Sequence, residues 1–365
     1  MNADQTDLTL FAATLKSRKA TADTVIKTYW DTTLPEVNTT YGEASRQTMS
    51  AFTDILNRGG KRFRAALAES GYRMFGGTNQ KVIDQMSLVL EMVHAYLLVT
   101  DDISDRSELR RGGPTAHRIL EEWFTRTNQT GDRQHFGASL ATLAAMAGMH
   151  QAMIELNKIP VDAERVREAS NNLNHILFLT CQGQMNDLWN ETTGTSSQEQ
   201  IENVLIWKSA CYSFVNPLQL GAILAGATPD QLKILEDYGR KAGRGFQLSD
   251  DVIGLFGSAD ETGKLPMDDL REGKRTLLIG RTLELASKED ANFLNSQLGN
   301  ERLTEADFER CRAIIAESGA LDQVKTDIAE SCDAAKQALN QSDLPSSDEI
   351  RFLSGLADFL KTRKA

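Results

Sequence analysis

Apolar residues return every three or four positions along most of the chain, which is the spacing of one face of an α-helix. The stretch VIDQMSLVLEMVHAYLLVT, residues 82–100, follows this spacing throughout. Residues 201–226 are apolar on nearly every side, so we expect a central buried helix there, interrupted near Pro217. Residues 233–257 form a further long helical pattern. Strict alternation of apolar and polar residues is scarce, and the sequence therefore predicts an all-α fold.

The breaks between these helical patterns are short and rich in glycine, asparagine and charged residues. None is long enough to act as a linker between domains, and no strong internal repeat is present. Residues 1–20 look loosely held, and we expect them to form a flexible N-terminal segment. The sequence thus predicts a single large helical domain over residues 21–365.

The composition of the chain argues against a nucleic acid partner and indicates a reducing compartment. The chain has 365 residues and a formal net charge of −11, so it lacks the general positive field of a nucleic-acid-binding protein. Any phosphate site must be a local basic pocket or be bridged by metal. The four cysteines are scattered, without a C-x-x-C pair, which is typical of reduced thiols in a cytoplasmic protein. The longest apolar run, from Ser139, is too short to span a bilayer, so we expect no stable membrane insertion.

The first candidate functional residues lie at the end of the 82–100 helix, in the sequence DDISDRSELRRGGPTAH. Asp101 and Asp105 are four residues apart and share one helix face with His94. Two carboxylates at this spacing suit Mg²⁺, which favours carboxylate oxygens together with substrate phosphate oxygens. The alternative is an ordinary solvated acidic helix end.

A second acidic pair strengthens the metal interpretation. In GFQLSDDVIGLFG, Asp250 and Asp251 interrupt another largely apolar helix, three and four residues after Gln247. If the two acidic helices face each other, their carboxylates form a cage for more than one divalent ion. The predicted magnesium ligands are therefore Asp101, Asp105, Asp250 and Asp251.

Basic residues form separate groups. NRGGKRFRAAL places Gly60, Lys61 and Arg64 at the start of an apolar helix. Glycine backbone N–H groups favour anions there, and the two cations can converge on one diphosphate; a basic helix start that only snorkels to solvent is the alternative. Further basic residues are Arg110, Arg111, Lys264, Lys274 and Arg275. Together the groups suggest two diphosphates, one bound through metal and one bound directly by lysine and arginine.

These residues carry a resemblance to a known family. In order along the chain they belong to GGKRFR, H-x6-DDISD-x4-RRGGPTAH, GQMNDL, KSACYSF, FQLSDD, TGKLP and DLREGKRTLL. This order resembles the trans-type isoprenoid diphosphate synthases of the polyprenyl synthetase family, and geranylgeranyl diphosphate synthases among them. The resemblance implies an all-α fold with a deep central cavity between helices, a homodimer, and Mg²⁺ as the cofactor, with three ions around the substrate diphosphate.

The resemblance also implies a reaction and roles for individual residues. Isopentenyl diphosphate would condense with an allylic diphosphate (C5–C15) through ionisation, condensation and elimination of a proton. The residues that resemble contacts to the allylic diphosphate are Arg110, Lys208, Lys264 and Lys274. Those that resemble the isopentenyl diphosphate site are Gly60, Lys61, Arg64, His94 and Arg111. Ser209 and Gln247 look like the polar groups near the developing allylic cation.

Two positions leave questions within this pattern. Gly254 stands where many family members carry a third aspartate of the second acidic motif. Product length in the family depends on an aromatic side chain four or five residues before the first aspartate, and Leu97 and Tyr96 hold those places here. Tyr96 favours a geranylgeranyl diphosphate product, whereas a helical wheel puts Leu97 closer to the line below Asp101. A farnesyl or longer polyprenyl product is the alternative.

Two other functions are compatible with parts of the pattern. A class I terpene cyclase shares the helical fold and an acidic motif, but it does not need Lys61, Arg64 and Arg111 for a second diphosphate. A regulatory subunit of a synthase usually loses acidic ligands, whereas this chain keeps both pairs. The sequence therefore favours a chain-elongating enzyme.

Overall fold

Capping residues and turn glycines divide the chain into the helices that the apolar spacing predicts. Thr228 caps the helix that begins at Pro229. Its hydroxyl accepts a hydrogen bond from the backbone of Gln231, whose side chain bonds back to the Thr228 backbone, the reciprocal arrangement of a capping box. The preceding helix ends at Gly226 in the left-handed conformation, which glycine favours. A stop signal and a start signal two residues apart therefore separate two helices.

The computed structural model describes residues 3–194, 197–257 and 266–363, and most of this part is helical, as predicted. The first helices are α1 (Ala3–Tyr41), α2 (Glu43–Asn57), α3 (Phe63–Met74), α4 (Gln80–Ser104), α5 (Ala116–Arg126), α6 (Arg133–Leu156) and α7 (Ala163–Thr193). They are followed by α8 (Gln198–Val204), a π-helical segment (Leu205–Val215), α9 (Asn216–Ala225) and α10 (Pro229–Phe256). The last helices are α11 (Asp268–Glu272), α12 (Leu277–Leu285), α13 (Lys288–Gln297), α14 (Glu305–Glu317), α15 (Ala320–Asn340) and α16 (Ser347–Thr362).

A short β-ribbon follows α4. Its strands are β1 (Leu109–Arg110) and β2 (Gly113–Pro114), which pair antiparallel with Leu109 opposite Pro114. Arg111 and Gly112 between them both have positive φ, 54° and 73°, as a type I′ hairpin turn requires. This turn fixes the directions of the two arginines that follow the first acidic motif.

The N-terminal residues differ from expectation. Residues 3–20, expected to be flexible, form the first half of α1. Phe11 is 1% exposed, and its ring centroid lies 5.4 Å from those of Phe352 and Phe359 in α16. Leu15, one turn further on the same face, packs against the same core. The segment is helical because this apolar stripe packs on α16, although threonines and charged residues surround the stripe in the sequence.

Two apolar cores flank the centre of the molecule. One is built around α4, which packs against α1, α2, α3 and α6. The other is built around α10, which packs against the π-helical segment, α15 and α16. By length and composition α4 could cross a membrane, contrary to the expectation that no apolar run is long enough, but 67% of its most apolar window is buried inside the protein. Its apolar surface is thus covered by neighbouring helices.

The stretch 201–226 is helical from α8 to α9, although we expected an interruption near Pro217. The hydrogen-bonding register changes instead, because Leu205–Val215 is π-helical and α9 begins at Asn216. Pro217 lies two residues after the π-helical segment, where the change of register accommodates its missing backbone N–H. π-Helical turns are often found at functional sites, and this one carries Lys208 and Ser209.

Candidate active site

A cavity of about 750 Å³ opens between α3, α4, α7, the π-helical segment and α10. The predicted site residues that line it are Gly60, Lys61, Arg64, His94, Tyr96, Asp101, Arg110, Arg111, Lys208, Ser209, Gln247, Asp250, Asp251 and Lys274. Asp105 is buried beside this wall, with its side chain 3% exposed. Lys264 lies outside the described residues. Side chains from distant parts of the sequence therefore meet in one space.

The last turn of α4 carries the first acidic pair. The backbone N–H of Asp105 donates to the carbonyl oxygen of Asp101 at 2.8 Å, so the helical spacing continues to the second carboxylate. Burial, together with the charge of Asp101, raises the pKa of Asp105 to about 6. Oδ2 of Asp105 accepts no hydrogen bond within the described part of the chain. A buried carboxylate in this position favours a nearby cation.

The second acidic pair enters the same cavity from α10. Oδ1 of Asp251 accepts a hydrogen bond from Nε2 of Gln247 at 2.8 Å, yet burial raises the pKa of Asp251 to about 8. Oδ1 of Asp250 lies 2.7 Å from Nη2 of Arg363. Burial raises the pKa of Asp250 as well, although the charge of Arg363 opposes it. Both carboxylates thus remain costly to ionise despite these protein partners.

Lys208 projects from the π-helical segment toward the first acidic pair. Its Nζ lies 2.7 Å from Oδ2 of Asp187 and 3.4 Å from Oδ1 of Asp101. Burial alone would lower the pKa of Lys208, but these carboxylates raise it above its ordinary value. The lysine therefore stays charged in a buried position next to the acidic groups.

Lys274 connects the two acidic regions. Its Nζ lies 3.0 Å from Oδ1 of Asp269 and 2.5 Å from Oε2 of Glu272. The same atom is 3.7 Å from Oδ2 of Asp105 at the end of α4. Burial would lower the pKa of Lys274, but the carboxylates around it raise that pKa well above its ordinary value. Carboxylates from two parts of the chain thus favour a cation at this position.

The donor atoms at the acidic pairs suit magnesium. Mg²⁺ prefers carboxylate oxygens and leaves further positions for water and phosphate. The raised pKa values of Asp105 and Asp251 reflect buried charges that the protein compensates incompletely. A divalent cation would favour the ionised form of each carboxylate. The donor atoms are therefore of the kind that the metal implied by the family resemblance prefers, although no three such side chains of the described residues are grouped around one position.

A separate cluster of cations lines another part of the cavity. Nη2 of Arg64 donates to Oγ of Ser213 at 2.7 Å, and its guanidinium lies 4.6 Å from the ring centroid of Tyr212. Nη1 of Arg111 donates to the carbonyl oxygen of Ile55 at 2.9 Å. Burial and the neighbouring arginines lower the pKa of Arg111 to about 10. Crowded, buried cations of this kind favour a bound anion.

The glycine-rich turn before α3 lets this cluster pack closely. Gly60 has a φ of +144°, and a β-carbon there would lie 3.0 Å from Nη2 of Arg111. Glycine is therefore needed both for the backbone conformation and for the space. Lys61 follows directly, and burial together with the charge of Arg363 lowers its pKa.

His94 on α4 completes the cluster as a neutral group. Its Nε2 lies 3.2 Å from Nη1 of Arg64. Because a guanidinium can only donate, Nε2 accepts and the ring proton belongs on Nδ1. Burial, with the charges of Arg64 and Arg111, holds the pKa of His94 well below its ordinary value. Nδ1 is buried and has no partner among the described residues, so its N–H can serve a ligand.

Arg110 is oriented by Asp102, an aspartate without a predicted role. Nε of Arg110 donates to Oδ1 of Asp102 at 2.8 Å, and Nη2 contacts the same oxygen. Asp102 is fully buried. Nη2 also lies 3.6 Å from Oδ2 of Asp101. The buried carboxylate therefore holds Arg110 against the first acidic pair.

The wall between α4 and α7 is mostly apolar. The residues of this wall are Tyr96, Leu97, Leu98, Thr180, Cys181, Met185 and Leu188. Burial raises the pKa of Tyr96, and Cys181 adds to this. Tyr96 and Leu97, the two candidates for control of product length, therefore both contact the same apolar space.

Comparison with known proteins identifies the family of the chain. The family described as Polyprenyl synthetase matches residues 45–315, a range that contains both acidic pairs and the cationic cluster. The chain belongs to the polyprenyl synthetase family. The family resemblance drawn from the order of the motifs is thereby confirmed.

Named relatives and solved structures resemble this polyprenyl synthetase over most of its length. A geranylgeranyl diphosphate synthase of Saccharolobus solfataricus is 30% identical over 311 residues, covering 85% of this chain and 88% of that protein. A geranylfarnesyl diphosphate synthase of Aeropyrum pernix is 27% identical over 312 residues, covering 85% of this chain and 92% of that protein. The crystal structure of a Corynebacterium glutamicum geranylgeranyl pyrophosphate synthase, complexed with isoprenyl diphosphate and magnesium, has a TM-score of 0.88 and 28% identity, covering 96% of this chain and 99% of that chain.

Two side chains at the candidate site of this polyprenyl synthetase are not predicted from the sequence. Arg363 follows the last helix and belongs to none of the motifs, yet it reaches Asp250. Asp269 lines the cavity beside Lys274, although the sequence predicts a role only for the basic residue of that motif. The acidic residue at the start of DLREGKRTLL was a usable signal for Asp269, whereas no local signal points to Arg363.

Arg62 shows the opposite case, because it belongs to the basic motif but is used inside the protein. It is 4% exposed. Nη1 lies 2.7 Å from Oε2 of Glu91, and Nε lies 2.8 Å from Oδ1 of Asp23. This buried network ties the glycine-rich turn to α1 and α4, and it positions Lys61 and Arg64 on either side of Arg62.

Proposed function

We propose that the protein is a magnesium-dependent, chain-elongating trans-prenyltransferase. It condenses isopentenyl diphosphate with a shorter allylic diphosphate to form a trans-prenyl diphosphate. One observation carries the proposal: a single cavity has two groups of charged residues of different chemistry next to an apolar wall, and we interpret them as two anion subsites. Carboxylates and lysines form one subsite, and Lys61, Arg64, His94 and Arg111 form the other.

The allylic diphosphate belongs at the acidic subsite. The residues that would hold three Mg²⁺ ions together with this diphosphate are Asp101, Asp105, Asp250 and Asp251. Magnesium bound there supplies positive charge that stabilises the departing diphosphate. Lys208 and Lys274 lie among the same carboxylates and donate from Nζ to diphosphate oxygens. Arg110, held by Asp102, adds a further donor as negative charge develops.

Isopentenyl diphosphate belongs at the cationic subsite. Lys61, Arg64 and Arg111 supply positive charge, and planar guanidinium groups match phosphate oxygens well. His94 is neutral and donates from Nδ1. This subsite binds its diphosphate directly, so it requires no metal.

The remaining residues of the cavity stabilise the carbocation and exclude water while the two substrates react. The allylic C–O bond breaks, and its electron pair leaves with the diphosphate. Ser209 and Gln247 line the cavity and offer oxygen atoms to the resulting carbocation, while the apolar wall excludes water that would capture it. The double bond of isopentenyl diphosphate attacks the cation and forms the new C–C bond, which leaves a carbocation on the added isopentenyl unit. The released diphosphate accepts a proton from the carbon next to this cation, and the electrons of that C–H bond form the new double bond, so no side-chain base is needed.

We propose geranylgeranyl diphosphate as the product. Tyr96 lines the apolar wall five residues before Asp101, where an aromatic ring limits the length of the growing tail. The relatives include synthases named for geranylgeranyl and for geranylfarnesyl diphosphate. A longer product is therefore the alternative, and the chain length of the product distinguishes it from geranylgeranyl diphosphate.

We further propose that the enzyme is a homodimer. Large apolar side chains on α6 and α7 are exposed: Leu143, Met146, Ile154, Phe178, Met185 and Trp189. Trp189 and Phe178 are 66% and 62% exposed, and exposed apolar patches mark interfaces between proteins. Two-fold dimers are the most common assemblies. Met185 also lines the cavity, so a second subunit would cover part of the tail-binding wall.

We place the enzyme in the cytoplasm, without a nucleic acid partner. Cys181, Cys211, Cys311 and Cys332 are free thiols, which fits a reducing compartment. The net charge of −11 opposes binding to a polyanion such as DNA or RNA. Fractionation of the source cells tests the first statement.

The reaction is tested by incubating the purified protein with Mg²⁺, labelled isopentenyl diphosphate and C5, C10 or C15 allylic diphosphates. An elongated product that requires both substrates and Mg²⁺ supports the proposal, and its chain length identifies the final product. A hydrocarbon formed from an allylic diphosphate alone would identify a terpene cyclase instead. Absence of turnover by the folded protein, with stimulation of another synthase, would identify a regulatory subunit.

A further inference from the structure

Gly254 and Asp269 occupy complementary space beside the second acidic pair. Gly254 lies in the last turn of α10, at the position where many family members carry a third aspartate. A β-carbon built on Gly254 would collide with Oδ2 of Asp269. The carboxylate of Asp269 therefore fills the space that a side chain at position 254 would need.

Asp269 faces the same space as the acidic pair of α10. It lines the cavity together with Asp250 and Asp251. Asp269 is therefore placed beside this acidic pair, although it belongs to a later motif.

A cation already lies between Asp269 and the first acidic motif. Nζ of Lys274 is 3.0 Å from Oδ1 of Asp269 and 3.7 Å from Oδ2 of Asp105. The Asp105 side chain is only 3% exposed, and its Oδ2 has no hydrogen-bond partner in the described ranges. The two carboxylates therefore approach the same position from different elements, and positive charge is favoured there.

We propose that Asp269 supplies the third carboxylate of the second acidic motif, in the space that Gly254 leaves open, and contributes to binding of divalent cations in the cavity. Glycine at position 254 is then required to leave room for the Asp269 carboxylate, and its presence does not mean that the motif has lost a ligand. The inference rests on the proposed function, since it adds a residue to the same metal site, but it can fail independently.

Two substitutions test the charge of Asp269 and the space at Gly254 separately. Asp269→Asn removes the charge and keeps the shape, whereas Gly254→Ala keeps every charge and displaces the carboxylate. Glu272→Gln is the matched control, because Glu272 also pairs with Lys274, at 2.5 Å, but does not line the cavity. The readout is Mg²⁺ binding measured by calorimetry in the presence of inorganic diphosphate, together with the melting temperature of each variant.

We expect Asp269→Asn and Gly254→Ala each to weaken Mg²⁺ binding about 10-fold or more, the range found for residues that support metal ligands. Glu272→Gln should bind like the parent protein. In Gly254→Ala the better helix propensity of alanine opposes the cost of moving the Asp269 carboxylate, so a cooperative melting transition near that of the parent protein shows that the variant is folded. The double variant Gly254→Asp/Asp269→Ala should regain most of the affinity, since a carboxylate then returns to this space from α10.

Unchanged Mg²⁺ binding in Asp269→Asn, or in Gly254→Ala, would overturn the proposal. Equal weakening in Asp269→Asn and Glu272→Gln would also overturn it, because the loss would then act through Lys274. If Asp269→Asn does not fold, the Gly254→Ala result decides alone. Metal binding that depends on Asp269 in a protein without prenyltransferase activity would refute the proposed reaction and leave this inference standing.

Discussion

Nη2 of Arg363 lies 2.7 Å from Oδ1 of Asp250, so a residue beyond the last helix packs onto the second acidic pair. The Arg363 side chain is 10% exposed, and its guanidinium lies 5.1 Å from the ring centroid of Phe246. After burial, its charge is the main cause of the lowered pKa of Lys61. Arg363 therefore stands between the two proposed diphosphate subsites.

Arg363→Ala should tighten Mg²⁺ binding, because a guanidinium and a divalent cation compete for the same oxygen of Asp250. A charge-assisted hydrogen bond contributes roughly 1.5–3 kcal/mol, so we expect the Kd for Mg²⁺ to fall by about 10-fold. Arg363→Lys keeps the charge without the planar fork and should give an intermediate value. Calorimetric titration with Mg²⁺ measures both, and weaker binding in Arg363→Ala would refute the competition.

Asp101→Ala and Asp250→Ala should each lower turnover by about 10²-fold or more, because transition-state charge loses its electrostatic support. Neither change should unfold the protein, since both side chains face the cavity and are 26% and 36% exposed. Asp230→Ala is the matched control on α10, where Asp230 is 89% exposed. The measurements are kcat with saturating substrates and circular dichroism of each variant. Turnover close to that of the parent protein in either active-site variant would rule out the metal assignment.

Tyr96→Ala should lengthen the prenyl product, because removal of the ring extends the apolar space along α4 and α7. Leu97→Ala is the informative companion, since Leu97 lines the same wall. Product chain length after reaction with excess isopentenyl diphosphate, measured by chromatography, compares the two. A longer product only from Leu97→Ala would show that Leu97 rather than Tyr96 limits elongation.

Glu191 should make stability depend on pH. Burial, with the charges of Asp187 and Asp105, raises the pKa of Glu191 from 4.5 to about 8. Because this pKa is higher in the folded protein, the stabilisation is full below pH 4.5 and is lost as the pH rises through 8. Glu191→Gln should therefore leave the free energy of unfolding similar at pH 5 and raise it by roughly 1 kcal/mol at pH 9.

Urea denaturation at the two pH values checks this prediction. Glu199→Gln is a suitable control, because Glu199 is exposed at the start of α8 and its replacement should leave the pH dependence unchanged. If the parent protein and Glu191→Gln lose the same stability between pH 5 and pH 9, the buried carboxyl group is not the cause.

Local geometry explains which parts of the site could be predicted from the sequence. His94, Asp101 and Asp105 lie on one helix, where spacing alone fixes their common face. The contact between Arg363 and Asp250 joins residues more than a hundred positions apart, and no periodicity encodes it. The place of Asp269 depends on the room above Gly254, which only the packing of α11 near α10 reveals.

The helical state of the start of α1 also depends on packing between distant parts of the chain. Phe11 and Leu15 give α1 a narrow apolar stripe, but its helical state depends on α16, which lies at the other end of the chain. Isolated helices of low amphipathicity are marginal in water, and tertiary packing decides whether they form. The long helices α4 and α10 were predictable because their apolar faces are broad, whereas the start of α1 was not.

The sharpest test of the two diphosphate subsites is a calorimetric comparison of isopentenyl diphosphate with an unreactive thiolodiphosphate analogue of the allylic substrate. Each ligand is titrated in the presence of Mg²⁺ and again with a metal chelator. Isopentenyl diphosphate should keep its affinity within a few-fold, because Lys61, Arg64 and Arg111 bind it directly, whereas the allylic analogue should lose about 10-fold or more. An equal dependence of both ligands on Mg²⁺ would contradict the existence of two chemically distinct subsites.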